Sequence, residues 1–573
     1  MPVTALHLFS DEEGAAPFHG HIVDNNLFHK ASDPIFSDGL VSGVGEGGKL
    51  VYLGDLMDRY PYEIRLMQRM LAIPENDITL IAGNRDVNKL RLIDELRMKK
   101  IEGRTDTGGW DKYHPSGYPN FQTFEDVVNF AAQTERSWEF ETISSERFQT
   151  WKNMETKKHE TLQNKNATAT ERLALSVNDL MGVKNPVSVK MQEARAFMKD
   201  VPDVPEDVPD VPDVLGSLDT DEKKAVFVCV LYTILAGGYF IDTHAVLLKQ
   251  LDGLYIRFLQ RCKIMSLEQV GDTRVLVAHG GVPDLISNPI GLKEASGREN
   301  TVQQAIDSIN TSFKTHITEF VNGKGNAESM EILYYYIGLS GPLQQNTAFG
   351  EDKFDYKNSP IVTRTRLNPT NRRALYASGG DGKIDYSHPI YATFDDQDDK
   401  KVIDYVVFGH TPQGNAPSIW TSAETVYAAI DVSNSRDDKS RVNEYSTCAI
   451  MSIYPDREMV VRGQAYDKNG QVFSYSNKKI DYERNPPVEI STERNESLLA
   501  LFRFNVENKH VYQVTDPNSG FSILETTETT ETTESQSEGG DAGIRSRTKI
   551  WSWTGMMALV TLIASGLPRL GIE

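Results

Sequence analysis

Polar side chains that can bind metals follow six short apolar runs of the sequence. These runs are TALHLF, KLVYL, ITLIA, RVLVA, DYVVF and VYAAI. Their length and their β-branched and aromatic content are typical of buried strands. The residues that follow them at or near their ends are Asp11, Asp55, Asn84, His279, His410 and Asp431. Because α/β sheets place ligands outside the carboxyl ends of their strands, we expect these side chains to meet at one sheet edge.

The types of these residues favour a metal centre. Carboxylate, amide and imidazole groups together bind borderline divalent ions such as manganese, iron or zinc. Two such ions can clamp the attacking and leaving oxygens of a phosphoryl displacement. The residues occur within the ordered motifs GDLMDR, GNRD, HGG and GHTP. Glycines precede Asp55, Asn84 and His410, and glycine allows the sharp turn needed where a strand meets a loop.

The motif series resembles the calcineurin-like metallophosphoesterase superfamily, in particular its phosphoprotein phosphatase branch. The resemblance covers residues 1–95 and 270–435, and the single histidine of GHTP is similar to that branch. It implies an α/β (α+β) fold, a two-sheet β-sandwich flanked by helices, with two divalent ions at one edge. Mn²⁺ is expected, with Fe or Zn as alternatives. The implied activity is hydrolysis of phosphomonoesters on phosphoproteins by a metal-bound hydroxide.

The resemblance also implies roles for individual residues. Asp55 matches the ligand that bridges both ions. Arg59 matches an arginine that holds the substrate phosphate, and a guanidinium fork suits phosphate oxygens. Arg364 and Arg366 lie where the family has another phosphate-binding arginine, or they are solvated surface residues. The predicted metal ligands are Asp11, Glu13, Asp55, Asn84, His279 and His410.

One departure from the family pattern concerns a metal ligand. Glu13 stands where the family has a histidine. A carboxylate still binds divalent ions, but it shifts the preference toward manganese or magnesium. His19 or His21 could supply the missing nitrogen instead.

A second departure concerns catalysis. Arg85 stands where the family has the histidine thought to protonate the leaving group. Arginine keeps its proton, so it cannot act as a general acid, but it can stabilise transition-state charge. We therefore predict Arg59, Arg85 and Asp86 as catalytic residues, with Asp86 orienting Arg85. We also predict a preference for phenolic or anhydride phosphates over alkyl phosphoserine.

The predicted metallophosphoesterase core comprises residues 1–120 and 271–515, separated by a mainly helical insertion at 121–270. Within the insertion, residues 199–214 form a Val-Pro-Asp repeat, which favours an extended spacer. The apolar run 225–241 is predicted to be a buried helix. A membrane span there would place Asn84 and His279 on opposite sides of the bilayer.

Two segments of biased composition follow the core. Residues 525–543 are rich in Thr and Glu and lack the apolar content to pack, so we predict a disordered stalk. Residues 550–567 are uncharged and apolar, with Trp551 and Trp553 at the start and basic residues before them. This pattern predicts a C-terminal membrane anchor that leaves the body cytoplasmic, with an amphipathic or buried terminal helix as the alternative.

The composition limits the remaining classes of function. The chain has 573 residues and a net charge of −21, which argues against nucleic-acid binding through clustered basic residues. Its three cysteines are far apart, so we expect no disulfide framework, and the first residues show no basic region followed by a long apolar run, so we expect no secretory signal. Two alternatives to the phosphatase remain open. One is a dinucleotide pyrophosphohydrolase of the same superfamily, and the other is a catalytically degenerate, membrane-tethered binding module.

Overall fold

The computed structural model contains both helices and strands, which confirms a mixed α/β content. The structure describes residues 3–11, 47–57, 61–96, 98–100, 121–133, 138–140, 164–179, 183, 185–199, 215–237, 246–281, 302–321, 360–361, 364–367, 374–378, 383–385, 391–393, 400–410, 417–422, 425–431, 447–466, 472–477, 490–492, 499–506, 509–516, 520–527 and 549–551.

The helices of the described chain lie mainly in its first half. They are α1 (Glu63–Ala72), α2 (Asn84–Glu95), α3 (Phe124–Gln133), α4 (Ala169–Leu173) with a following π-helical segment (Ala174–Asp179), α5 (Pro186–Lys199), α6 (Asp221–Ala236), α7 (Val246–Leu251), α8 (Leu254–Arg261) and α9 (Val302–Val321).

The strands begin near the N-terminus and dominate after α9. They are β1 (Ala5–Phe9), β2 (Gly48–Tyr52), β3 (Ile78–Leu80), β4 (Met98–Lys100), β5 (Trp138–Phe140), β6 (Met265–Val270), β7 (Thr273–Ala278), β8 (Arg364–Leu367), β9 (Ala374–Ser378), β10 (Lys383–Asp385), β11 (Tyr391–Thr393), β12 (Lys400–Val402), β13 (Tyr405–Phe408), β14 (Ser418–Ser422), β15 (Thr425–Ala429), β16 (Thr447–Ile453), β17 (Met459–Tyr466), β18 (Val472–Asn477), β19 (Ile490–Thr492), β20 (Leu499–Val506), β21 (Lys509–Asp516), β22 (Gly520–Thr527) and β23 (Lys549–Trp551).

Two mixed sheets form the centre of the described structure. The first has the order β19-β18-β17-β16-β1-β2-β3, and the second has the order β14-β15-β13-β7-β6. In the first sheet β1, β2 and β3 are parallel, and in the second β7, β13 and β15 are parallel. These six parallel strands are the six apolar runs, so their prediction as buried strands is confirmed. Smaller sheets have the orders β10-β9-β8, β11-β12, β20-β21-β22-β23 and β4-β5.

The parallel strands are buried on both faces, which explains their nearly continuous apolar sequences. Side chains alternate between the two faces of a strand. Leu6 and Leu8 of β1 belong to an apolar cluster that both sheets share, together with Val275 and Val277 of β7. Phe9 belongs to a second cluster, which the helices complete. The two sheets therefore pack on each other and on helices.

Helix α6 lies at the centre of the helical cluster. Every residue from 225 to 236 is buried, and the helix contacts α2, α3, α4, α5 and α8. Thr220 caps its start by accepting the N–H of Lys223, and Gly237 ends it at a φ of 86°. The prediction of a buried helix in the run 225–241 is confirmed for residues 225–236. The described residues include no helix with the length and hydropathy of a membrane span.

A buried polar network joins the edges of the two large sheets. Glu268 of β6 accepts hydrogen bonds from Lys49 of β2 at 2.8 Å and from Thr79 of β3 at 2.8 Å. Ser266 donates to the same carboxylate at 2.7 Å. Beside this network the backbone N–H of Lys263 donates to the backbone carbonyl of Leu80 at 2.7 Å. The sheets are thus fixed to each other near the carboxyl end of β3.

Several predicted segments lie wholly or partly outside the described residues. The Val-Pro-Asp repeat is outside, except that Lys199 ends α5. Of the predicted stalk, residues 525–527 end β22. Of the predicted anchor, Ile550 and Trp551 lie in β23, which pairs with β22. The stalk and the anchor stay predictions.

We predict that Glu268→Gln lowers the free energy of unfolding at pH 7 by roughly 1–3 kcal/mol, because a neutral amide cannot serve the same three donors. Burial raises the pKa of Glu268, but Lys49 and the hydrogen bonds outweigh burial and hold it below its ordinary value. The contribution of Glu268 is therefore complete at neutral pH and is lost as the pH falls through the lowered pKa of the folded state.

Urea unfolding at pH 7 and about pH 3 measures this effect, with the difference between wild type and variant shrinking in acid. Glu319→Gln is the control, since Glu319 lies on α9 outside this network, where its carboxylate is 3.7 Å from His316 Nδ1. Equal stability of wild type and Glu268→Gln at pH 7 would contradict the assigned role.

Candidate metal centre

Three of the residues at the ends of the parallel strands have left-handed backbone conformations. The φ angles are 57° for Asp11, 59° for Asp55 and 68° for His410. Such conformations cost roughly 1–3 kcal/mol in residues other than glycine, and they cluster at functional sites. The backbone therefore turns sharply where β1, β2 and β13 end.

Glycines allow the strand ends to approach one another. A Cβ atom on Gly409 would collide with the Ser10 hydroxyl and the Asp11 carboxylate. A Cβ atom on Gly83 would collide with the backbone and the carboxylate of Asp55. Gly409 thus permits contact between the ends of β1 and β13, and Gly83 permits contact between the ends of β2 and β3.

Asp55, His279 and His410 converge at this edge. One ligand atom of each lies within 4.8 Å of the others. Asp55 and His279 are buried, while His410 is half-buried. Asp55 Oδ1 lies 3.3 Å from His279 Nε2, and the two imidazole rings are 4.9 Å apart between centroids. The three residues come from two different sheets, so the sheet packing creates the cluster.

Asn84 completes the convergence from the first turn of α2. One end of its side-chain amide lies 2.8 Å from His410 Nδ1, 3.1 Å from His279 Nε2, and 3.1 and 3.2 Å from the two Asp55 oxygens. In this structure that end is the amide oxygen. With the amide turned over, its NH₂ group would donate from the same point to Asp55 and His410, whereas in the present orientation its oxygen can join them as a metal ligand. The donor set therefore fits a divalent metal ion of the borderline class.

A backbone hydrogen bond fixes the orientation of His279. Its Nδ1 lies 2.6 Å from the carbonyl oxygen of Leu53, to which it donates. Nε2 then faces Asp55 and Asn84. A carbonyl that accepts the Nδ1 proton leaves Nε2 as the ring nitrogen that can bind a metal ion.

Two further carboxylates adjoin the cluster. Asp11 accepts the N–H of His410 at 3.1 Å and the hydroxyl of Ser10. Asp431 is buried, and the pairing of Phe408 with Ala429 places it beside His410 in the sheet. Burial raises the pKa of Asp11, and the charge of Asp431 raises it further. The structure thus adds Asp431 to the margin of the site.

Arg85 packs against Asp55. Its backbone N–H donates to Asp55 Oδ1 at 2.9 Å, and its Nε lies 3.5 Å from Asp55 Oδ2. Burial alone would raise the pKa of Asp55, but His279, then Arg85 and His410, hold it below the ordinary value. Burial lowers the pKa of His279, but Asp55 outweighs burial and raises it to about 10. Asp55 is therefore the anion around which the site's cationic groups are arranged.

Asp86 is wholly buried and uses its carboxylate for backbone contacts. Oδ2 accepts the N–H of Asp55 at 3.0 Å and that of Gly83 at 2.9 Å. Oδ1 accepts the N–H of Leu56 at 2.9 Å. Burial, and then the charge of Asp55, raise the pKa of Asp86 to about 7. The role of Asp86 as a partner for the Arg85 side chain stays a prediction.

Some predicted site residues cannot be placed. Glu13, its substitutes His19 and His21, and Arg59 lie outside the described residues. Arg364 and Arg366 lie in β8, where the structure describes their backbone only. The structure thus brings together Asp11, Asp55, Asn84, Arg85, Asp86, His279 and His410.

Sequence reasoning missed two contributors to the site. The carbonyl of Leu53 orients His279, and no sequence signal marks a backbone acceptor. The hydroxyl of Tyr255 donates to the carbonyl of Asp86 at 2.5 Å. Tyr255 lies in an amphipathic helix, where an aromatic residue indicates core packing rather than a role near a site.

Comparison with known proteins supplies no relative. The chain matches no protein-family model, no curated protein and no solved structure.

We predict that Gly409→Ala lowers the free energy of unfolding by about 1–3 kcal/mol, because the methyl group must displace the Ser10 hydroxyl or the Asp11 carboxylate. The same displacement shifts His410, so the variant should also bind Mn²⁺ more weakly. Urea unfolding and Mn²⁺ titration measure the two effects.

Gly216→Ala is the matched control, since no atom lies within 4 Å of the added Cβ. It should change stability by no more than about 0.5 kcal/mol. A Gly409→Ala protein with wild-type stability and Mn²⁺ affinity would contradict the close packing of the strand ends.

Proposed function

We propose that this protein is a metal-dependent phosphatase that hydrolyses phosphomonoesters on phosphoproteins. One observation carries the proposal: Asp55, His279 and His410 place ligand atoms within 4.8 Å of one another, and one end of the Asn84 side-chain amide lies within 3.2 Å of all three residues. Carboxylate, amide and imidazole donors that converge at the carboxyl ends of parallel strands suit a catalytic divalent ion.

The surrounding fold supports a metallophosphoesterase architecture. Two mixed sheets share an apolar cluster, a second cluster joins residues of both sheets to the helices, and the ligands lie at the ends of the parallel strands. This arrangement agrees with the two-sheet fold that the motif resemblance implies. The buried Asp11, with Glu13, would supply ligands for a second ion. We propose Mn²⁺ as the metal, with Fe or Zn as alternatives.

Different residues of the site would have different roles in this reaction. Asp55, Asn84, His279 and His410 would hold a divalent ion, which supplies Lewis acidity toward the phosphate and the attacking water. The Leu53 carbonyl orients His279 for ligation. Half-buried His410 lies on the accessible side of the cluster. Arg85 carries a permanent positive charge beside Asp55, where it can offset charge that develops on the phosphoryl group.

We predict that His410→Asn lowers Mn²⁺-dependent hydrolysis of para-nitrophenyl phosphate by roughly 100-fold or more. Replacing even a hydrogen-bond partner of a metal ligand lowers metal affinity or activity by roughly 10–100-fold, and His410 is an expected ligand. Steady-state kinetics with metal analysis of the purified chain provide the measurement. His316→Asn, on α9 and outside the cluster, is the control and should retain activity.

The same assay separates the alternatives. Absence of turnover in the wild type with Mn²⁺, Fe²⁺ or Zn²⁺ would refute the phosphatase and support a binding module. Turnover confined to adenylylated dinucleotides would support a pyrophosphohydrolase.

We predict that phosphotyrosine peptides react at least roughly 100-fold faster than phosphoserine peptides, because a missing general acid costs about 10²–10⁴-fold and affects the poorer leaving group more. The motivating observation is Arg85, whose guanidinium cannot donate its proton usefully. Arg85→His should lower the ratio of kcat/KM for phosphotyrosine peptides to kcat/KM for phosphoserine peptides, whereas Arg65→His on α1 should leave this ratio unchanged. Equal kcat/KM values for both peptides in the wild type would contradict this role.

A further inference from the structure

The Asp86 carboxylate links two loops that carry expected metal ligands. It accepts the N–H groups of Asp55 and Leu56 in the loop after β2, at 3.0 and 2.9 Å. It also accepts the N–H of Gly83, which precedes Asn84 in the loop after β3, at 2.9 Å. The side chain is fully buried. Three bonds to one carboxylate hold Asp55 and Asn84 at a set separation.

Part of this arrangement is ordinary helix capping. Asp86 is the third residue of α2, where an acidic side chain commonly accepts the N–H of the capping residue. Asp126 does the same at the start of α3, with the N–H groups of Gln122 and Thr123. The bonds from Asp86 to Asp55 and Leu56 go further, because they reach a different loop of the first sheet's edge.

Tyr255 extends the link into the helical cluster. It is buried on α8, and its hydroxyl donates to the backbone carbonyl of Asp86 at 2.5 Å. Gly253, two residues before Tyr255, has a φ of 63° and is the capping residue that precedes this helix. Helix α8 in turn packs on α1, α6 and α9. The position of Asp86 therefore depends on a helix that contributes no ligand to the cluster.

We infer that Asp86 is a positioning residue that sets the distance between Asp55 and Asn84, and that Tyr255 holds Asp86 in place from the helical cluster. The inference rests on the proposed function in one respect, namely that these ligands bind a metal ion. Metal affinity then depends on Asp86 and Tyr255, neither of which is a ligand.

Replacement of the carboxylate by an amide tests the inference. Asn at position 86 keeps the size of the side chain but directs an NH₂ group at one or more of the three N–H donors. The loops must then separate at that contact, while the ligands themselves are unchanged. We expect Asp86→Asn to weaken Mn²⁺ binding by roughly 10–100-fold, as for other outer-shell partners of metal ligands.

The experiment measures Mn²⁺ dissociation constants of the full chain from the EPR signal of free Mn²⁺. Asp126→Asn is the control for helix capping, and we expect wild-type affinity. Tyr255→Phe should weaken binding by roughly two- to tenfold, the effect of one hydrogen bond. Tyr405→Phe is its control, since the Tyr405 hydroxyl also donates to a backbone carbonyl, that of Arg457, at the opposite end of β13.

The binding stoichiometry distinguishes positioning from loss of fold. At saturating Mn²⁺ the EPR titration of Asp86→Asn should reach the same number of bound ions per chain as the wild type, since the ligands remain, whereas an unfolded chain would not reach it. Wild-type Mn²⁺ affinity in Asp86→Asn, or equal weakening in Asp126→Asn, would overturn the inference. If Asp86→Asn does not fold, Tyr255→Phe provides the test. A wild-type Mn²⁺ affinity of Tyr255→Phe would then overturn the inference.

The outcomes also separate this inference from the proposed function. If the wild type binds Mn²⁺ but hydrolyses no phosphate ester, the phosphatase proposal is refuted. The Mn²⁺ affinities of Asp86→Asn and Tyr255→Phe still test the positioning role in that case. A wild type that binds no Mn²⁺ overturns the positioning role as well.

Discussion

Packing of two parallel strand triplets against one apolar layer is the constraint on which the described structure depends. Leu6 and Leu8 of one sheet share a cluster with Val275 and Val277 of the other. This contact aligns the carboxyl ends of β1, β2, β3, β7, β13 and β15 at one edge. Residues far apart in sequence meet there only because both sheets contribute strand ends, so the hydrophobic core also builds the site.

The buried polar groups at this edge need partners that compensate for their loss of contact with water. Asp55 lies in a low-dielectric setting that disfavours its charge, and His279, Arg85 and the backbone N–H groups around it compensate. Asp86 is buried with its three N–H donors for the same reason. Asp11, Asp55 and His279 each contact a group from another strand end, which makes the strand ends mutually dependent. Asn84 adds its side-chain amide to the same cluster, within 3.2 Å of Asp55, His279 and His410.

Much of the framework could be predicted from local sequence patterns. The six apolar runs are strands, and the run at 225–241 contains a buried helix. These predictions succeeded because strands and helices buried on all sides have continuous apolar sequences. The ligand types could be predicted for the same reason, since Asp55, Asn84 and His279 follow such strands directly or within a few residues.

The sequence by itself determined which residues stand at the strand ends and that their chemistry suits a divalent ion. The tertiary structure decided the rest. It placed Asp86 against the N–H groups of Asp55 and Leu56, and it brought Tyr255 to Asp86 from a separate helix. These contacts depend on distances between elements that are far apart along the chain. Periodicity and motif spacing report the faces and ends of single elements, whereas such distances arise only when the sheets and helices pack together.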